Sequence, residues 1–253
     1  MPFTFSHTVA AFLFKPWLNK LSLTGVVLGC MAPDFEYFLR MRMQGEFGHH
    51  IAGIFLFNLP VSILIALVFH QVIRDEMIEH SPWFLKKRVL IFQNLDWFEY
   101  FKNHYLMVII SIFFGILTHV IWDAFTHQTG FFVQKNVFLQ DTVSIADFNI
   151  PLYKIFQHLS SSLGLIIIAI YFFKLPSYTS IQTNNERKTL WMYWGAILIL
   201  LGCLLGLWLI FNSDLKFSLV HVLVATIACL FWSILIVSLF FKMMKNRKII
   251  NTQ

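Results

Sequence analysis

Residues 189–213 read TLWMYWGAILILLGCLLGLWLIFNS, 25 positions without a single Asp, Glu, Lys or Arg. At 1.5 Å per residue such a helix reaches about 37 Å, more than the ~30 Å hydrocarbon core of a bilayer. Four further runs free of those residue types lie at 47–73, 103–122, 155–173 and 217–241. A sixth candidate starts at Leu21 and meets Asp34 straight after Pro33. Those thirteen residues cover only ~20 Å, so this segment spans only if its helix continues through Asp34 to Leu39. The fold expected is an all-α, polytopic transmembrane helical bundle of five or six spans.

The rest of the chain agrees. Of 253 residues 58% are hydrophobic and 13% charged, and the mean hydropathy is +0.69. Ordinary soluble domains carry about 25% charge, so a soluble globular protein is excluded. Disorder is excluded as well, because 29 Phe and 8 Trp cannot stay solvated. The net charge of +6 reads as cytoplasmic loops obeying the positive-inside rule, with no nucleic-acid surface implied. Cys30, Cys203 and Cys229 all fall inside apolar runs without a CxxC pair and read as small buried hydrophobes. Met1–His7 lacks a basic stretch, which predicts no cleaved signal peptide.

Loop charge gives an orientation. Arg74, Lys86, Lys87, Arg88 and Lys102 lie in 74–102; Lys174, Arg187 and Lys188 in 174–188; Lys242, Lys245, Arg247 and Lys248 in the tail. Alternating spans bring these segments to one side, the cytoplasm. The 128–154 connection, with Lys135, Lys154, Asp141 and Asp147, and the 212–216 connection, with Lys216, then face outward. Arg40 and Arg42 also fall outside, against the rule. Residues 1–175 are expected to form a metal-site bundle with short N-terminal helices. Residues 176–253 are expected to add two more spans and a basic cytoplasmic tail. Trp17, Trp83, Trp97 and Trp191 suit an interfacial aromatic belt.

Ionisable groups inside apolar runs are costly and mark function. His119, Asp123 and His127 stand at i, i+4 and i+8, so they project within one ~80° sector of a helix. Imidazole, carboxylate and imidazole on one face form a ligand set for zinc, manganese or iron. The bland alternative is a polar helix end in which Asp123 orients one His. Asp34 ends an apolar segment, His49 and His50 open the 47–73 run, His158 opens the 155–173 run, and His7 precedes them all. In the orientation above Asp34, His49 and His50, the 119–127 stripe and His158 share the outer ends of their helices, as when bundles build metal sites. His7 joins them only if residues 3–20 re-enter or lie outside. His70, His80, His104 and His221 read as satisfied interfacial histidines. Pro60 predicts a kink, with Asn58 available to the freed backbone groups.

Several stretches together resemble a bacterial membrane family, domain of unknown function 4184. They are Met1-Pro2-Phe3-Thr4-Phe5-Ser6-His7, Met31-Ala32-Pro33-Asp34-Phe35-Glu36-Tyr37, His49 with Gly53–Pro60, His119–His127, and Pro151-Leu152-Tyr153-Lys154 with Gln157-His158. The likeness covers about residues 1–175 and brings no established activity. More distantly, the pattern is similar to predicted membrane-bound metal-dependent hydrolases, zinc-dependent phospholipase C and related single-strand nucleases. Those enzymes order an Asp, a His about fifteen residues on, then His-x-x-x-Asp and another His. Asp34, His49, His119, Asp123 and His127 match that order, with His7 and His158 for the early and late His. The relatives follow their last His with Glu four residues on, where this chain has Ser162. The resemblance therefore implies one or two divalent metals, zinc first, rather than three.

That resemblance implies metal-assisted hydrolysis of a phosphoester in a lipid or lipid-linked substrate at the outer face of a bacterial cytoplasmic membrane. Asp34 or Asp123 would bridge metals or act as base. A metal-ion or small-solute permease and a non-catalytic scaffold remain as rivals. Between neighbours, the family pattern favours His49 as ligand, whereas helical phase groups His50 with Asn58, eight residues on.

Overall fold

Apolar runs free of charge become helices because a bilayer offers the backbone no other hydrogen-bond partner. The computed structural model describes residues 4–17, 19–93, 95–145, 148–178, 184–215 and 218–250. Met1, Pro2 and Phe3 of the opening motif, Asp147 and Lys216 lie outside the described residues. Among those described, five helices are long and apolar enough to cross a membrane: Ile51–Glu79, Trp97–Lys135, Leu152–Lys174, Glu186–Phe211 and Leu219–Arg247. These are the first to fifth spans below, and they answer to the five charge-free runs.

The sixth candidate does not become a span. It breaks into a helix Leu23–Gly29 capped by Ser22, a 3-10 turn Ala32–Asp34 and a helix Phe35–Arg40. Its longest piece is seven residues, about 10 Å of helix. Five spans is therefore the structural answer among the described residues.

Within the first span two π-helical turns occur, at Ile54–Asn58 and Phe69–Ile73. The former immediately precedes Leu59-Pro60. Pro60 has no N–H to give and crowds the carbonyl four residues back, and a wider turn relieves both problems. The second span leaves helical geometry at His104 (φ −133, ψ 26). In the connection after it, Thr142–Ile145 pairs antiparallel with Phe148–Pro151, Val143 opposite Ile150. This small hairpin is β-structure that the all-α expectation did not include; Thr142, Val143 and Ile145 are β-branched, which suits a pleated strand.

The chain divides into two compact units: Met1–Glu36, Gly45–Ile63 and His104–Phe173 form one, and Tyr37–Gln44, Leu64–Asn103 and Lys174–Gln253 the other. In the first, the Leu23–Gly29 helix packs backbone to backbone on the second span. A Cβ on Gly29 would lie 2.1 Å from the Ile112 oxygen, and one on Gly115 2.3 Å from the Val26 oxygen. Small residues four apart, Gly25 and Gly29, permit such contact between membrane helices. In the second unit Tyr193, Ile197 and Val237 form a core cluster. There the Tyr193 ring stacks on His80 (4.6 Å), and its hydroxyl pairs with Ser238. His70 lies 3.1 Å from Arg74, and His221 Nδ1 accepts from the Met43 N–H.

Two expectations need correcting. Trp17, Trp83 and Trp191 are exposed, as a belt requires, but Trp97 is buried and stacks on His70. Cys30 and Cys229 are buried, whereas Cys203 is exposed, on a helix surface suited to lipid.

Candidate metal centre

Every residue of the centre belongs to the first unit. Thr4–Trp17 winds as a 3-10 helix, whose three-residue period stacks Thr4, His7 and Ala10 on one face. All three are buried. The second span carries the stripe of His119, Asp123 and His127. Asp123 Oδ2 lies 3.3 Å from His119 Nε2, and Asp123 Oδ1 lies 3.3 Å from His127 Nδ1. The i, i+4, i+8 spacing thus makes one connected row.

Asp34 and His49 meet this row from outside the helix. His119 Nε2 is 3.7 Å from Asp34 Oδ1. His49 Nε2 is 3.7 Å from Asp34 Oδ1 and 3.5 Å from Asp123 Oδ2. Asp34 Oδ1, His49 Nε2, His119 Nε2 and Asp123 Oδ2 are thereby linked in a ring of four contacts. Ligands ~2.0–2.1 Å from one tetrahedral ion stand about 3.3–3.4 Å apart. The observed 3.3–3.7 Å contacts are that spacing slightly opened. His7 adds a second face, with Nε2 3.7 Å from Asp123 Oδ1 and its ring stacked on His119 at 4.2 Å.

Buried polar atoms almost always have partners, yet Asp34 Oδ1, His119 Nε2, Asp123 Oδ1 and His7 Nδ1 make no hydrogen bond. For Asp34 and His119 the opposite atoms are held. Thr4 Oγ1 donates to Asp34 Oδ2 at 2.6 Å, and His119 Nδ1–H donates to the Cys30 carbonyl at 2.8 Å. Outer bonds that fix tautomer and carboxylate while the inner atoms stay bare are how proteins prepare metal ligands. His7 is also in the right state: burial, reinforced by neighbouring His119, pushes it down to about 3, so the ring is neutral near pH 7. Burial pushes the Cys30 thiol up to about 11, and its Sγ lies 3.3 Å from Thr118 Oγ1. The donor set fits a divalent cation.

Among the described residues two groups could hold such an ion: His7, His119 and Asp123, and Asp34, His49 and His119. Both use His119, whose single uncommitted nitrogen can serve one ion. The remaining sequence candidates fall elsewhere. His127 has both nitrogens engaged: the Gln157 amide donates to its Nε2 at 2.8 Å, and its Nδ1 lies 3.3 Å from Thr126 Oγ1. His158 is exposed while Gln157 is buried. His50 is exposed and precedes the helix that begins at Ile51, and the cluster takes His49. Thr4, Gln157, Glu36 and the Cys30 carbonyl support the site without having been singled out for it. The buried face Gln157, Ser161 and Gly164, at helical spacing, is the signal that separates Gln157 from His158.

A family model described as Domain of unknown function (DUF4184) matches residues 1–239. The match runs into the fifth span, beyond the 1–175 stretch that carries the resemblance. No curated protein and no solved structure matches the chain.

Proposed function

The chain belongs to the family described as Domain of unknown function (DUF4184), and on that premise we propose that it is a membrane-embedded metal-dependent hydrolase of a lipid or lipid-linked phosphoester. The observation that carries this reading is the four-atom set of Asp34, His49, His119 and Asp123, two of whose buried atoms lack any hydrogen bond. In this reading Asp34, His49 and His119 would hold one divalent ion, zinc by donor type, with Asp123 beside them and a fourth position left to water. Bound there, the ion supplies Lewis acidity, lowering the pKa of water toward ~7 and polarising a phosphoryl oxygen.

The chain's own groups supply the rest. His49, with a third of its side chain exposed (34%), leaves an approach for substrate beside the otherwise buried set. Asp123 Oδ1 faces His7 and His127 and serves as proton acceptor. His127, whose Nε2 accepts from Gln157, turns its Nδ1 toward Thr126 Oγ1 and the Asp123 carboxylate, each 3.3 Å away. By the positive-inside rule the basic connections lie in the cytoplasm, so the centre opens at the outer face, where lipid headgroups are the substrates at hand.

The reading is tested on detergent-purified protein by elemental analysis and by headgroup release from phospholipid vesicles. About one equivalent of tightly bound zinc is expected, with hydrolysis abolished by a chelator. Weak, exchangeable metal with transport into vesicles would favour the permease, and no metal the scaffold.

A further inference from the structure

Glu36 is a buried carboxylate (4% exposed) only two residues beyond Asp34. It accepts from three consecutive backbone N–H groups. Glu46 donates to both oxygens at 2.9 Å, Phe47 to Oε2 at 2.8 Å and Gly48 to Oε2 at 3.0 Å. Successive N–H groups turned toward one anion form a nest, and hydrogen bonds to an ionised acceptor are about twice as strong as neutral ones. The residue that follows this nest is His49.

Gly48 is held from its other side too. Its carbonyl accepts from Asn58 Nδ2 at 2.7 Å, and Asn58 is fully buried (0%). A Cβ at Gly48 would stand 2.2 Å from the Pro33 oxygen, so this backbone lies directly on the turn that carries Asp34. The segment from Met41, whose φ of 53 is left-handed, to His50 has no regular helix or strand. His49 therefore receives no rigidity from secondary structure, although it is one of the proposed ligands and the exposed one.

We propose that Glu36, with Asn58 opposite it, is the positioning residue for His49: the two side chains clamp Gly48 by its N–H and by its carbonyl and so hold His49 Nε2 against Asp34 and Asp123. This rests on the metal reading above but concerns how one ligand is held. A clamp acting through His49 makes a specific demand. Loosening it must weaken the ion about as much as a lost outer-shell partner does, roughly 10–100-fold. Once His49 is gone, it must cost almost nothing more.

The test is a double-mutant cycle on the full-length protein in detergent, using zinc alone as probe. Glu36→Gln keeps the side-chain shape but loses the charge and one acceptor oxygen. Its zinc affinity is expected to fall about 10–100-fold, while Glu36→Gln in a His49→Ala background stays within about twofold of His49→Ala. Additive losses, or wild-type affinity in Glu36→Gln, overturn the proposal. If Glu36→Gln does not fold, Asn58→Ala releases the carbonyl end of the same residue and must give the same non-additive result. Amide hydrogen exchange on zinc-free protein separates this from the metal reading. Loss of protection confined to residues 46–49 in Glu36→Gln supports the clamp even if the wild type takes up no zinc. Unchanged protection there overturns it whether zinc binds or not.

Discussion

Gly29→Ala should disarm the centre from a position that contributes no ligand. The new Cβ would stand 2.1 Å from the Ile112 oxygen and 2.9 Å from Gly115 Cα, against ordinary contact of 3.4 Å or more. Those atoms are backbone, so no side chain can rotate away. The Leu23–Gly29 helix must retreat by about 1.3 Å, at the ~1–3 kcal/mol typical of overpacking. Cys30 is the next residue, and its carbonyl holds His119 Nδ1–H at 2.8 Å. A retreat of that size opens the bond to about 4 Å, beyond hydrogen-bond range. His119 then loses the partner that fixes its ring, and zinc affinity should fall about 10–100-fold, or roughly 1.4–2.7 kcal/mol. Competition against a chromophoric chelator reads the affinity, and a thermal melt checks that the variant is folded. Gly195→Ala, where nothing lies within 4 Å, is the control and should bind as wild type does. Wild-type affinity in folded Gly29→Ala would refute the chain of reasoning from helix packing to ligand orientation.

Three further outcomes are expected. His119→Ala and Asp123→Ala should each lower bound zinc by at least ~10-fold while His70→Ala leaves it unchanged, measured by elemental analysis; equal losses at all three would mean misfolding. His49→Ala should lose zinc and His50→Ala keep it, and His158→Ala should keep it where Gln157→Leu weakens it; loss in His158→Ala would return the ligand role to His158. A reporter fused after Lys248 should be active in the cytoplasm and one inserted near Thr142 outside, and the opposite pair would turn the centre to the cytoplasmic face.

The spans were legible because lipid imposes one simple rule, absence of charge over ~20 residues. The His119–Asp123–His127 row was legible because helical periodicity survives in an uninterrupted helix. Where regular winding stops, the sequence loses its voice. Phase arguments linking His50 to Asn58 fail because His50 lies ahead of the helix and a π turn at Ile54–Asn58 changes the angular count. His158 attracted attention by its chemistry, while the neighbour one residue back, about 100° away on the helix, held the buried face. Gly25, Gly29 and Gly115 gave little signal, since a glycine's meaning here comes from the backbone opposite it. Trp97 looked like a belt residue until its partner His70, distant in sequence, was known.

The break in the chain at Ala32–Asp34 also bears on how the protein is made. Synthesis proceeds at about 5–20 residues per second, so the 85 positions from Asp34 to His119 take roughly 4–17 s. Throughout that interval Asp34 has Thr4 available from the start but not its partner His119 on the second span. A segment bearing Asp34 and Glu36 is expensive to release into lipid on its own, so it waits at the membrane surface while later helices insert. The carboxylate that completes the centre thus keeps its own segment from being committed to the bilayer too early.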